Sequence, residues 1–400
     1  MNLSIQILIA LLLSVGVGLG VGPEGLPFIN KWIAPLGTIF INLIKMMIVP
    51  VVFFSLIIGV TSLGGDNKKL GRISFKTIVL YLFTTALAIV IGFAVAGVIH
   101  PGTGLDIAGK VAPKVKEAPS FMQVLVNMVP TNPISSMAKG DILPVIVFAL
   151  FVGVGITQVG KRVNVLIDVC DGAAEVCYRI IAMVMRFAPI GVFALLLPVV
   201  CKNGPKVLLP LLSVILCAAI GSILHCVFVY STLTSVFAGI SPMKFFRGMS
   251  EAMMLAFTTC SSAAALPVNL KNCQEKLGLS REVASFVLPL GCTINMDGTA
   301  LYMGVCTLFI ANVFGINLTT SDLVMVIMTG TLASIGTAGV PGAGLIMLAM
   351  VLQAVQLPLE GLALVAGIDR VLDMFRTCVN VTGDGAVACV VDKSERKHAA

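Results

Sequence analysis

Residues 362–391 read LALVAGIDRVLDMFRTCVNVTGDGAVACVV, an apolar stretch long enough to cross a bilayer that nonetheless carries Asp369, Arg370, Asp373, Arg376, Asn380 and Asp384. At about 100° per residue, Asp369, Asp373, Arg376, Asn380 and Asp384 fall within an arc of roughly 80°, with Thr377 beside it. One face of this helix is polar and the rest is hydrocarbon. An ionised side chain at mid-membrane costs about 2.5–3.5 kcal/mol even on the lenient insertion scale. Several on one face therefore require a wet cavity, one another, or bound ions, and such a face reads as a substrate or ion site. A structural ion-pair ladder is the alternative; against it, the carboxylates on this face outnumber the one arginine that shares it.

The rest of the chain is built to the same solvent. It is 58% hydrophobic and 11% charged, with a mean hydropathy of +1.05, whereas soluble domains carry about a quarter charged residues. That composition excludes a soluble globular protein and predicts an all-α polytopic membrane protein, one membrane domain over residues 1–400. Residues 3–21 have an apolar core too long for a typical signal peptide, no basic leader and no small-x-small site, so they read as a retained first helix. The cysteines mostly stand singly inside apolar segments, where they act as small hydrophobes, and no Cys-x-x-Cys occurs. His100, His225 and His398 are too scattered to suggest a catalytic cluster. The net charge of +7 lies mostly in short loops, where it orients a membrane protein rather than binding nucleic acid.

Given the ~20 residues a helix needs to cross, hydropathy places eight helices near 3–21, 33–63, 75–99, 143–160, 173–200, 207–238, 283–314 and 360–391. Basic loops at Lys68 to Lys76, Lys161 and Arg162, Lys244 and Arg247, Lys271 to Arg281 and Lys393 to Lys397 can all share one side. The positive-inside rule makes that side the cytoplasm and puts both termini there. The long polar connection from Pro101 to Asp141 then falls outside.

Two apolar stretches break this pattern. Around 248–275 and 322–357, arms too short to span flank the polar tips Ser261 to Pro267 and SIGTAGVPGAG, Ser334 to Gly344. Both read as re-entrant hairpins, since non-helical backbone survives at membrane depth only where it is buried in protein or lines a cavity. Each is followed by a helix bearing Asn-x-x-Gly and a carboxylate: NMDGT with Asp297, and NVTGD with Asp384. A hairpin followed by a broken helix, twice over, is the trace expected of an internal repeat in a secondary transporter.

With SSAAALP, LPLGCTINMDGTALYMGVC, ASIGTAGVPGAGLIMLAM and GIDRVLDMFRTCVNVTGD assembled, the chain resembles the dicarboxylate/amino acid:cation symporters, the glutamate transporter family. The likeness is densest from Ala256 to Val391 and continues more loosely upstream through LIKMMIVPVVFFSLIIGV and FAPIGVFALL. It implies eight transmembrane helices plus two re-entrant hairpins in inverted repeats, a homotrimer, and sodium-coupled import of aspartate or glutamate through the plasma membrane by an elevator-type movement, with no enzyme activity and no organic cofactor. The scaffold would be residues 3–63 and 143–200. The moving unit would be 75–99 and 207–391, with hairpins at 248–275 and 322–357 and the second hairpin as the outer gate.

The resemblance also assigns roles, and the residue chemistry agrees with them. Arg376 would grip the side-chain carboxylate of the substrate, where a planar bidentate cation is wanted. Asp373, helped by Thr377, would hold the ammonium. Asn380, Ser261, Ser262 and Thr299 would hold the α-carboxylate, and Val340 and Gly344 would cover the substrate from the second hairpin. Sodium ions would bind at Gly291, Asn295, Asn380 and Asp384; at Thr293, Ser334, Ile335 and Thr337; and at Tyr81, Thr84, Thr85, Asn295 and Asp297. For Tyr81, Thr84 and Thr85, polar packing between helices is an equal alternative.

Many members of the family it resembles carry an arginine at one or the other of two places that here hold Cys260 and Met374; Arg370, within i,i+3 reach of Asp373, could take that part, and the sequence leaves this open. Ala263, Ala264 and Ala265 replace a more polar tip. Carriers of C4-dicarboxylates, neutral amino acids or cystine, and an anion channel, are the competing readings. A succinate-like substrate would leave Asp373 unpaired, and a small neutral one would leave Arg376 unpaired.

Overall fold

A computed structural model describes residues 3–61, 68–103, 105, 126, 129–204, 208–335 and 343–399, and among them all regular structure is helical. α1 (Leu3–Val21) and α2 (Leu26–Trp32) meet at Gly22, whose φ of 62° turns the chain through a bend of 98°. α3 (Ala34–Thr61) and α4 (Lys68–Ile99) follow. α5 (Pro133–Lys139) starts on Asn132, whose side chain accepts the Ser135 N–H, and stops at Gly140 in the left-handed region. α6 (Ile142–Val159) comes next.

The single helix expected at 173–200 is two. α7 (Asn164–Arg186) begins nine residues earlier than expected, and α8 (Ala188–Asn203) starts after a break at Phe187. Pro189 explains the division, since it lacks an N–H and its ring crowds the preceding turn, and it sits in the first turn of α8, where proline is tolerated. α9 (Leu208–Leu224) continues into π-helical turns at His225–Tyr230 and Leu233–Phe237.

The remaining helices are α10 (Pro242–Thr259), α11 (Ser262–Lys271), α12 (Arg281–Ile294), α13 (Asp297–Val313), α14 (Thr320–Ala333), α15 (Ala343–Ala354) and α16 (Leu362–Ala399). Among the described residues, four helices are long and apolar enough to cross a membrane, or five if the bent α1–α2 pair forms one span. α16, with 38 residues, is about 57 Å long and outlasts a hydrocarbon core about 30 Å thick. α10 packs on α11 and α14 on α15, with arms of 18, 10, 14 and 12 residues. Cys260, at φ 53°, and Ser261 join the first pair.

The two Asn-x-x-Gly helices differ. The first is broken, with Asn295 and Met296 between α12 and α13, whereas α16 runs unbroken through Asn380 to Asp384. The expectation of two broken helices is therefore corrected. Asn and Gly alone do not interrupt a buried helix; a break also needs outside partners for the backbone groups it frees. α16 lies against α10, α12, α13, α9 and α4, at the centre of the buried core.

Candidate functional site

α12 ends and α13 begins inside the protein, which leaves carbonyl and N–H groups to be satisfied there. α16 supplies the partners. Asn380 Oδ1 accepts the Gly298 N–H at 2.8 Å. Asn295 Nδ2 donates to the Asn380 carbonyl at 3.0 Å and to Asp384 Oδ1 at 2.9 Å. Asn380 Nδ2 points at Met296 Sδ (3.3 Å) and Thr299 Oγ1 (3.4 Å). Gly298 makes the approach possible, because a β-carbon there would overlap the Arg376 backbone carbonyl.

This knot gathers Gly291, Asn295, Asn380 and Asp384. Asp384 Oδ2 and Asn295 Oδ1 are buried without a hydrogen-bond partner in the protein, and Gly291 lies directly against the Asp384 carboxylate. An unpaired buried carboxylate oxygen is costly. Hard oxygen donors, one of them anionic, suit a hard cation.

Asp297 is better satisfied. Its Oδ1 accepts from Thr84 Oγ1 (3.1 Å) and Thr85 Oγ1 (2.7 Å), and its Oδ2 accepts from Tyr230 Oη (2.8 Å), with His225 Nε2 at 3.4 Å. Tyr230 Oη also contacts the Val379 carbonyl at 3.1 Å, which ties α9 to α16. Tyr81 donates to the Val287 carbonyl (3.1 Å) and stands beside Gly291 rather than on Asp297. The sequence reading missed His225 and Tyr230. Their signal was a histidine and a tyrosine five residues apart inside the apolar run 208–237, a spacing that a π-helical turn brings to one face.

Further along α16, Arg376 is buried over the Tyr302 ring, 4.3 Å from its centroid. Its Nη1 donates to Asp369 Oδ1 at 3.0 Å, and Tyr302 Oη reaches the same oxygen at 3.3 Å. Nη2 lies 2.9 Å from Asp373 Oδ1 as an ion pair without good hydrogen-bond geometry, and Nε has no acceptor. The Nε edge of the guanidinium thus retains donors for another anion. Thr377 Oγ1 donates to Asp373 Oδ1 at 3.3 Å. Gly344 of α15 lies so close that a β-carbon would collide with the guanidinium. Arg370 is at the edge, with Nη2 3.4 Å from the Thr259 carbonyl and Nη1 4.0 Å from Asp373. Four aspartates, 297, 369, 373 and 384, outweigh the buried Arg376 and the partly exposed Arg370.

Ser261 caps α11 by accepting the Ala264 N–H at 3.2 Å, and Ser262 is buried behind it with its carbonyl 3.6 Å from Cys292 Sγ. Thr293 and Ser334 donate to carbonyls of their own helices, Leu290 and Thr331, and the Ile335 N–H donates to Leu332. Among the described residues no hydrogen bond joins Thr293 to Ser334 or Ile335. Thr337 and Val340 lie outside the described residues.

A family model described as the sodium:dicarboxylate symporter family matches residues 3–394. Three curated proteins illustrate the likeness. The proton/sodium-glutamate symport protein of Geobacillus stearothermophilus is 34% identical over 383 residues, covering 94% of this chain and 90% of the relative. The proton/glutamate-aspartate symporter of Escherichia coli (strain K12) is 36% identical over 377 residues, with coverages of 91% and 86%. The C4-dicarboxylate transport protein of Bacillus subtilis (strain 168) is 35% identical over 404 residues, with coverages of 99% and 94%.

Proposed function

The chain belongs to the sodium:dicarboxylate symporter family, a membrane transporter and not an enzyme, and from that premise we propose that it imports aspartate or glutamate together with sodium ions across the plasma membrane. The observation that carries the substrate is the pairing on one face of α16: a guanidinium with free donors at Arg376 and a carboxylate one turn away at Asp373, with Thr377 beside it. An acidic amino acid offers a carboxylate to the first and an ammonium to the second. Asn380, Thr299 and the Ser261–Ser262 tip hold the α-carboxylate, and Val340 and Gly344 close over the substrate.

Sodium is the counterweight to the aspartate excess. One ion is held by Gly291, Asn295, Asn380 and Asp384, where Asp384 Oδ2 lacks a protein partner. Others take Thr293, Ser334, Ile335 and Thr337, and Tyr81, Thr84, Thr85, Asn295 and Asp297. One relative is named for proton and sodium coupling and another for proton coupling, which makes the proton gradient the control.

In this reading the chain has eight spans and two re-entrant hairpins, α10–α11 and α14–α15, whose arms are shorter than the ~20 residues a span needs. Both termini are cytoplasmic, and the protein is a homotrimer. Residues 75–99 and 207–391 move as an elevator against 3–63 and 143–200, with the second hairpin as outer gate. A C4-dicarboxylate carrier is the second reading, favoured by the similarity to the B. subtilis C4-dicarboxylate transport protein. Uptake into proteoliposomes, driven in turn by sodium and proton gradients and tested with aspartate, glutamate, cystine, serine and succinate, separates the two. Sodium-driven uptake of aspartate or glutamate over succinate is expected; succinate alone would replace the proposal with its rival.

A further inference from the structure

The helices that converge on the cation ligands meet a second time. Beyond the apolar part of α16, Asp392 Oδ1 accepts the Ser280 N–H (3.0 Å) and hydroxyl (2.6 Å), and Ser280 is the N-cap of α12. Arg396 pairs with Asp392 Oδ2 at 2.7 Å and donates to the Gly278 carbonyl at 2.6 Å. Glu395 receives Arg72 Nη2 at 2.5 Å and Nε at 3.1 Å, and Lys76 Nζ at 2.8 Å, all from α4. Lys76 also donates to Ser394 Oγ at 2.8 Å. Asp392 and Glu395 are only 5% and 6% exposed, so these pairs are shielded on the carboxylate side.

α4 carries Tyr81, Thr84 and Thr85; α12 carries Gly291 and leads into Asn295; α16 carries Asn380 and Asp384. From the clasp to the ligands is roughly 12 Å along α16 and roughly 16 Å along α12, at 1.5 Å per residue. We propose that Asp392 and Glu395 are positioning residues for sodium, fixing the axial register of α4 and α12 against α16 so that the oxygens of two adjoining cation sites, which share Asn295, come into place together. The physical need is real, since a binding constellation works only when its supporting contacts hold it to about 0.5 Å. Among the described residues, no other contact between these helices combines so many charge-assisted hydrogen bonds in one turn of α16. The proposal rests on the cation reading above.

The test is the sodium concentration that half-saturates aspartate binding to the purified full-length protein, for the wild type, Glu395→Gln, Asp392→Asn and, as a control on the exposed face, Lys393→Gln. Loss of outer support to metal ligands costs about 10- to 100-fold in affinity where the support touches the ligand; for this remote clasp a shift of about three- to tenfold is expected in Glu395→Gln and Asp392→Asn, and none in Lys393→Gln. Aspartate affinity at saturating sodium should stay within about twofold of wild type. A merely structural role would lower the amplitude of binding without moving the half-saturation point. If a carboxylate variant fails to fold, Arg72→Gln, which leaves Glu395 its Lys76 partner, is expected to show a shift of about twofold. Wild-type sodium dependence in the folded variants overturns this proposal alone. Aspartate binding without sodium dependence in the wild type overturns the cation reading and this inference with it.

Discussion

NMDGT and NVTGD carry the same three landmarks, an asparagine, a glycine three residues on and an aspartate, yet one interrupts its helix and the other does not. The interrupted segment is completed by the continuous one: Asn380 Oδ1 takes the Gly298 N–H, and the Asn380 carbonyl and Asp384 take Asn295. The asymmetry extends to the carboxylates. Asp297, at the break, is surrounded by Thr84, Thr85, Tyr230 and His225, whereas Asp384, on the intact helix, keeps an oxygen without a protein partner. Polar residues at a given spacing mark where a site lies, and the neighbouring helix decides which backbone opens.

The glycines give the largest test of that difference. A side chain at Gly298 meets the backbone of Arg376, which cannot move without moving α16. Gly298→Val should cost about 3 kcal/mol or more and abolish monodisperse protein in size-exclusion chromatography; a well-behaved, transporting variant would mean that the two helices do not approach as described.

Arg376→Cys comes next. It removes the guanidinium and leaves Asp369 and Asp373 facing each other without it, and truncating one partner of a buried charge pair costs about 2–5 kcal/mol. Aspartate affinity should fall well over tenfold, while serine, still held by Asp373 and Asn380, should bind better than in the wild type. Calorimetric titration of both ligands at saturating sodium decides it, and unchanged aspartate affinity would make Arg376 structural.

At the matching glycine of the intact helix the effect shrinks. A β-carbon on Gly383 meets side chains rather than backbone, Tyr230 Oη at 2.5 Å and Asn295 Nδ2 at 2.7 Å; both are buried and hydrogen-bonded, to Asp297 and to Asp384, so they yield at a cost that the helix propensity of alanine only partly offsets. Gly383→Ala should fold with a stability loss of about 1–2 kcal/mol, so a loss as large as that of Gly298→Val would erase the distinction between the two segments.

The smallest effect is a pH dependence at the far end of α16. Arg72 and Lys76 hold the Glu395 carboxyl down to about 2, against an ordinary value of about 4.3. Because the folded value is depressed, the stability it contributes is complete above about pH 4.3 and is lost as pH falls toward about 2. Arg72 is 43% exposed, so solvent screening keeps the contribution modest. The melting temperatures of wild type and Glu395→Gln should differ equally at pH 7 and pH 5 and converge below pH 4; a gap that closes between pH 7 and pH 5 would point to a different group.

Part of this architecture is legible in the sequence. The polar face of 362–391 stood out because intramembrane charge is expensive, and Asp373, Arg376 and Asn380 are all buried. The interruptions at Ser261 and after Ala333 were visible as tips between arms too short to span. Periodicity reports a residue's own helix, not its partner, so contacts across 67 to 323 residues of sequence were out of reach: Tyr230 on Asp297, Tyr302 on Asp369, Arg72 on Glu395. The break at Phe187 was hidden by apolar residues on both sides, although Pro189 marked it. The unbroken α16 was hidden for the opposite reason, since nothing in NVTGD tells whether another helix would receive the groups a break would free.

The most direct measurement is the sodium dependence of aspartate binding to Asp384→Asn beside the wild type. If Asp384 holds sodium with the oxygen that has no protein partner, the substitution should raise the sodium needed for half-saturation at least about tenfold, the equivalent of 1.4 kcal/mol. Thermal stability without sodium should be equal or higher, because an uncompensated buried charge has been removed. Unchanged sodium dependence accompanied by a loss of stability would contradict the account and make Asp384 a structural partner of Asn295.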